Sequence, residues 1–151
     1  MIDYKDHALL LNESYRHWTG DYLVAQFDPG EVLAALNEAN FALISHALEA
    51  DPVFNYGNLR ALSLFGYEYS EFLQLPSRDT VAPEAIAERS ELSQRVDQEG
   101  FVTNYRGTRL TKSGKRFVID EGVVWQLIDN LGRVHGHAAL LNSWHLVEAT
   151  R

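Results

Sequence analysis

Apolar residues along this chain first recur at three- and four-residue intervals, then gather in short runs, and finally alternate over long stretches. The first pattern predicts a helix over about 3–19. Ala8, Leu11, Tyr15 and Trp18 form its stripe, widened by Leu9 and Leu10. Thr19-Gly20 closes it, glycine being suited to a left-handed cap. After a break at Asp28-Pro29-Gly30, Val32, Leu33, Leu36 and Ala39 predict a second helix over about 31–40.

The pattern changes at Asn40. Residues 41–46 and 53–56 are apolar runs of strand length, separated by Asp51-Pro52. Proline pushes the residue before it out of the helical region, so this dipeptide reads as a turn. Asn58 is placed to cap a short helix, Leu59–Phe65, that stops at Gly66, and Ser70-Glu71-Phe72-Leu73 reads as another helical turn. Pro83 and Glu84 suit the start of a helix running to about Glu99 and ended by Gly100. Ile86, Leu92 and Val96 give that helix a thin apolar stripe.

Three strands follow, over 101–111, 116–127 and 134–143, joined by Lys112-Ser113-Gly114-Lys115 and Asp129-Asn130-Leu131-Gly132. Short glycine-containing loops predict an antiparallel meander. In the middle strand Phe117, Ile119, Val123, Trp125 and Leu127 fall at even spacing, so a regular strand would put all five on one core-facing side. The expected class is α+β: a five-stranded antiparallel sheet with short central helices, preceded by two N-terminal helices.

Composition narrows the chemistry. The 151 residues suit one core, 46% are hydrophobic and 23% charged. There is no cysteine, which removes disulfides, thiolate metal sites and thiol nucleophiles. The formal net charge of −8 disfavours contact with nucleic-acid phosphates. No secretory leader or apolar span of membrane length is visible, so the cytoplasm is the expected location and no membrane partner is expected. Neither a nucleophile elbow nor a phosphate-binding glycine loop nor a zincin helix occurs, which argues against an enzyme.

Two stretches resemble the PAS superfamily. Phe54-Asn55-Tyr56-Gly57-Asn58, Ala61-Leu62, Leu64-Phe65-Gly66-Tyr67 and Ser70-Glu71-Phe72-Leu73 are similar to its strand and central helices, with Asn58 and Ala61 one residue further apart than in the family pattern. Leu110 to Phe117, then Ile128-Asp129-Asn130-Leu131-Gly132 and Gly136, are similar to its hairpin. The chain resembles the MEKHLA domain more closely. That likeness is carried by Glu13-Ser14-Tyr15, Trp18-Thr19-Gly20, Ser45-His46, Glu49 to Tyr56, Leu75-Pro76-Ser77-Arg78, Val124-Trp125 and Leu127-Ile128-Asp129. The resemblance implies a helical extension over 1–40 packing on a PAS-like domain over 41–145. It further implies a sensory or regulatory role, a ligand pocket between sheet and central helices, and output by protein association, a homodimer included.

On that reading the candidate ligand contacts are His46, Asn55, Tyr56, Arg78, Tyr105, Glu121, Trp125 and Ala138. Gly136 and Ala138 share one side of a regular last strand and would leave room over the sheet, or mark close packing. Glu121 interrupts the apolar alternation. A regular strand would aim it inward against Arg78 or Arg109, since a buried charge needs a partner; a bulge near Gly122 would turn it out. His135 and His137, two apart, could share a face. The ligand is an unidentified small molecule and the cofactor is unknown: the cysteine of the light-sensing flavin branch is missing, and residues 84–99 hold no axial histidine for haem. The competing readings are a ligand-free interaction module and a small enzyme built on Tyr105, Glu121 and His137. A cavity of about 300 Å³ or more would favour ligand binding over the filled interaction module.

Overall fold

The computed structural model describes residues 2–147. Helix α1 (Tyr4–Thr19) starts on Asp3, whose carboxylate accepts from the Lys5 and Asp6 amides, and ends on Gly20 at φ +85°. Helix α2 (Pro29–Glu38) starts earlier than the apolar stripe indicates. Asp28 accepts from the Glu31 amide, and proline fits the first turn because its missing N–H would have no partner there. The chain continues as β1 (Ala42–Ala47), β2 (Phe54–Gly57), α3 (Leu59–Phe65) and α4 (Tyr69–Phe72). Two 3-10 turns (Ser77–Thr80, Pro83–Ala85) lead into α5 (Ile86–Glu99). The last third holds β3 (Phe101–Val102), β4 (Gly107–Leu110), β5 (Arg116–Ile128) and β6 (Val134–Leu146).

The strands form one antiparallel sheet in the order β2-β1-β6-β5-β3, with β4 also on β5. The strand expected over 101–111 is broken in two. Residues between β3 and β4 leave the ladder through Asn104 at φ +57°, a conformation asparagine tolerates better than most side chains. Asn58 ties the centre together. Its Oδ1 accepts from the amides of Leu43 and Ala61, each at 3.0 Å, and its Nδ2 donates to the carbonyls of Leu36 and Phe41, each at 2.9 Å. One amide, 1% exposed, therefore caps α3 and holds α2 and β1 against it.

The middle strand is not regular. Its register with β6 shifts on both sides of Glu121, and a bulge reverses which face the following residues occupy. Phe117 and Ile119 lie in the core beneath the short helices, with Phe54, Phe65 and Phe72. Val123, Trp125 and Leu127 lie on the opposite face with Ala8, Leu11 and Leu140. The expected single face is thus two half-faces, and the sheet is covered on both sides.

Helix α1 covers the outer face and is hydrogen-bonded along its length. Tyr4 donates to the Asn55 carbonyl (2.7 Å), Ser14 to the Ile128 carbonyl (2.9 Å) and the Trp18 indole to the Gln126 carbonyl (2.9 Å). The Trp18 ring also stacks on Phe101 and lies against Gly100, which adopts φ +90° at the end of α5. The Gln126 amide in turn donates to the Gly100 carbonyl at 2.9 Å. The C-terminal ends of α1 and α5 thereby meet at the β3 edge of the sheet.

On the last strand, Gly136 does not open space above the sheet. It sits at φ +154°, and a Cβ there would overlap the His46 carbonyl oxygen on β1. Gly136→Ala should therefore destabilise by about 3 kcal/mol or more. Gly114→Ala, at φ +84° but in open space, should cost only about 1–2 kcal/mol. Urea denaturation of the two variants checks this ordering.

Candidate functional site

The inner face has two parts. Beneath α3 and α4 it is filled by aromatic rings, Phe54 stacked on Phe72 at 4.4 Å and Phe65 edge-on to Phe117 at 5.3 Å. Beneath α5 it is not filled. There β1, β5 and β6 enclose, with α5 and the Ser77 turn, a chamber of about 40 Å³. Its apolar wall is Ile44, Phe54, Leu92, Val124 and Ala139; its polar wall is His46, Ser77, Arg89, Ser93, Arg109 and His137. That volume holds about three water molecules. It falls far short of the roughly 300 Å³ expected of a ligand pocket, so by size alone the chamber favours the filled interaction module, and only a very small molecule fits it.

Helical spacing explains the roof. Arg89, Leu92, Ser93 and Val96 recur at three- and four-residue intervals and turn toward the sheet. Ile86, expected in the stripe, is 61% exposed instead, because it occupies the first position of the helix, beyond the sheet's reach.

Two guanidiniums dominate the electrostatics. Arg109 is 7% exposed and donates to Thr80 Oγ1 at 2.8 Å and to the Tyr105 hydroxyl at 3.3 Å. Arg89 donates to Ser77 Oγ at 2.7 Å. Neither forms an ion pair among the described residues, and no carboxylate lines the chamber. Burial, followed by the charge of Arg109, pulls the Arg89 guanidinium below its usual pKa. Neutral hydroxyl partners satisfy donors but not charge.

The two chamber histidines differ in their partners. His46 Nδ1 lies 2.9 Å from the Ala47 carbonyl oxygen, an acceptor, so Nδ1 carries the proton. Burial depresses its pKa to about 4, with lesser contributions from His137, Arg89 and Arg109, so it is neutral at pH 7. His137 lies 5.4 Å away, ring to ring, and its Nε2 is 2.8 Å from Asp97 Oδ1 on α5.

The residues singled out in the sequence separate into groups. His46 and Ala138 border the chamber, although Ala138 packs with Trp125 in the outer layer. Tyr105 stands behind Arg109 as its hydrogen-bond partner. Asn55 is the extra residue of a bulge in β2, where its Oδ1 accepts from Ser45 Oγ. Tyr56 faces the outer layer and donates to Asn37 Oδ1 at 2.6 Å. Arg78 is at the surface, paired with Asp51, and Glu121 is exposed at its bulge. The inward ion pair of Glu121 with Arg78 or Arg109 is therefore not formed, because the bulge near Gly122 rotates the carboxylate to solvent. Trp125 lies beneath α1, edge-on to Tyr15 at 4.9 Å, with its indole nitrogen buried and without a hydrogen-bond partner.

His135 and His137 do not share a face. The register shift between Leu127 and Ile128 leaves His135 as an extra residue, paired with Asp129 beside α1. Among the described residues there is no cluster of metal-binding side chains, and no helix is long and apolar enough to cross a membrane. Sequence reasoning missed Arg89, Ser77 and Ser93. Their helical spacing with Leu92 and Val96 was a signal for the first and last of these.

A sheet enclosing short helices on one face, with a chamber beneath the long helix, defines a PAS-type domain. The chain belongs to the MEKHLA domain family, whose model matches residues 5–146. No curated protein is similar to it in sequence. Among solved structures it is similar to the PAS domain of a Colwellia psychrerythraea protein, with a TM-score of 0.65, 17% identity, and coverage of 78% of this chain and 95% of that one. It is also similar to an RNA-binding light-oxygen-voltage receptor, with a TM-score of 0.65, 23% identity, and coverage of 74% of this chain and 32% of that one. A light-oxygen-voltage domain studied with a flavin analogue gives a TM-score of 0.62 at 22% identity, covering 78% and 85%. These likenesses concern the fold. The chamber is smaller than a flavin's tricyclic ring, and a chain without cysteine cannot form the covalent adduct of the light-sensing branch.

His46 is matched on the other face of β1 by His7, whose Nε2 is 2.9 Å from Ser45 Oγ and whose pKa burial also lowers to about 4. The unfolded chain takes up both protons near pH 6.5, the folded chain only near pH 4. Stability conferred by the neutral forms is thus complete above pH 6.5 and falls as the pH drops toward 4. Between pH 7 and 4.5 each histidine should cost about 2.5 kcal/mol. Urea midpoints across that range should show a shallower decline in His46→Asn than in the wild type. Identical slopes would mean that His46 protonates freely in the folded protein.

Proposed function

We propose that the protein is a PAS-type sensory module that binds a small molecule in the chamber between sheet and α5 and reports its occupancy through association with another protein. The observation that carries this reading is the lining itself. Arg109 and His137, only 7% and 8% exposed, stand with His46, Ser77, Arg89 and Ser93 against the apolar wall of Ile44, Leu92, Val124 and Ala139. A domain selected only for a stable core has no use for such groups, since isosteric apolar side chains fill a core at no cost in desolvation. The MEKHLA and PAS likenesses support a sensory rather than a catalytic role. Nothing in the chamber pairs a nucleophile with a base: the Ser45 hydroxyl near His7 is 1% exposed and faces α1.

Output is assigned to the outer layer. Tyr69 and Leu59, 41% and 62% exposed, border an open groove of about 600 Å³ between α1, α2 and the short helices. The small chamber and this groove also favour a second reading, an interaction module with no ligand.

A thermal melting screen against a metabolite panel separates the two. A ligand at 100 times its Kd adds about 2.7 kcal/mol, which raises the melting temperature of a chain this size by roughly 5–10 °C. Ser93→Phe, which fills the chamber from α5, should keep the fold and lose that response. If no compound stabilises the wild type, or if Ser93→Phe responds equally, the chamber is not a binding site.

A further inference from the structure

We infer that the chamber selects a small organic monocarboxylate of about two to four carbons. This rests on the ligand-binding reading above and specifies the chemistry of its occupant.

Charge comes first. Arg89 and Arg109 both line the chamber, both are drawn out of water, and neither meets a carboxylate among the described residues. Each uses only part of its five N–H donors on Ser77, Thr80 and Tyr105. Two partly buried like charges without a counter-ion repel one another, and an anion between them removes that penalty. Of the acids on α5, Asp97 is engaged by His137 and its side chain is 60% exposed, and Glu88, which borders a separate small recess with Arg89 and Arg109, is exposed and forms no ion pair with either.

Geometry then narrows the anion. A guanidinium fork matches a planar carboxylate with two parallel hydrogen bonds. The neutral His46 adds no charge to those of the two arginines. Leu92 and Val124 also line the chamber, apolar surfaces that would desolvate a phosphate or sulfate oxygen without bonding it. A carboxylate with a short hydrocarbon tail satisfies both walls. Volume sets the length: space for about three waters accommodates only a few non-hydrogen atoms.

The test uses propionate and butyrate at fixed ionic strength, with propionamide, inorganic phosphate and chloride as comparisons. Calorimetric titration and melting are read on wild type and on Arg89→Gln, Arg89→Lys and the surface control Arg78→Gln. Arg89 is partly exposed, so these variants are expected to fold, which circular dichroism verifies. The two carboxylates should bind and stabilise, and Arg89→Gln should weaken them about 10-fold or more, with Arg89→Lys in between and Arg78→Gln unchanged. Propionamide binding equally well would overturn the requirement for charge and leave the chamber as a site. Phosphate binding better than butyrate would overturn the carboxylate class. Carboxylates inert while another panel metabolite stabilises would end this inference alone; silence from the entire metabolite panel would end the binding reading with it.

Discussion

The structure depends on the reversal of side-chain direction at the Glu121 bulge. A thirteen-residue strand without it would present one apolar face, and helices could cover only one side of the sheet at that strand. With it, the first half of β5 sends Phe117 and Ile119 inward, and the second half sends Val123, Trp125 and Leu127 outward. The large outward side chains give α1 a surface to dock on. What remains inward at that level is Val124 opposite Ala139, two small residues. Docking of α1 and the space beneath α5 are therefore two results of the same irregularity in the β5–β6 ladder.

The chamber is held open by polarity as well as by small residues. At its α3–α4 end four phenylalanines close-pack, as apolar cores do. At the α5 end Arg109 is anchored by Thr80 and Tyr105, and Thr80 itself donates to the Ser77 carbonyl. Ser77 is fixed in turn by its amide on the Pro52 carbonyl. These bonds run through the turn after α4, so the arginine is set by backbone elements rather than by loose surface contacts. A buried charge positioned this firmly cannot retreat to solvent, and the surrounding walls cannot collapse onto it without desolvating it further.

Local chemistry made most of the fold legible. Asn58 reads as a cap, Gly20, Gly66 and Gly100 as stops, and the two glycine-containing loops as hairpins, because each works through its immediate neighbours. Bulges read out only in part: one near Gly122 is an open alternative in the sequence, but its effect on the faces of Val123, Trp125 and Leu127 is not. The reversal at Glu121, the extra Asn55 in β2 and the displaced His135 arise from how two strands pair, and the sequence of one strand does not state its partner's register. For that reason a regular-strand reading puts Trp125, Asn55 and Tyr56 over the chamber, whereas they lie in the outer layer or the β2 bulge. The site was half legible for a related reason. His46 and Tyr105 stand on strands whose position was evident. Arg89 stands on a helix read for its apolar residues, where Ile86 obscured the true inward stripe. Arg109 drew notice only as a partner for Glu121, a charge that turned out to face water.

The joint at Gly100 has a mechanical meaning. Helix α5 roofs the chamber on one side of the sheet, and α1 lies on the other, yet both end against one another through Trp18, Gly100 and the Gln126 backbone. The glycine leaves no side chain between the two helix ends, so the Trp18 indole lies directly on the α5 terminus at the sheet edge. Under the proposed function, a rise of the roof over an occupant would reach Trp18, and so the far layer, without passing through the packed strands. By thermodynamic reciprocity, whatever grips α1 from outside also changes how readily the roof lifts.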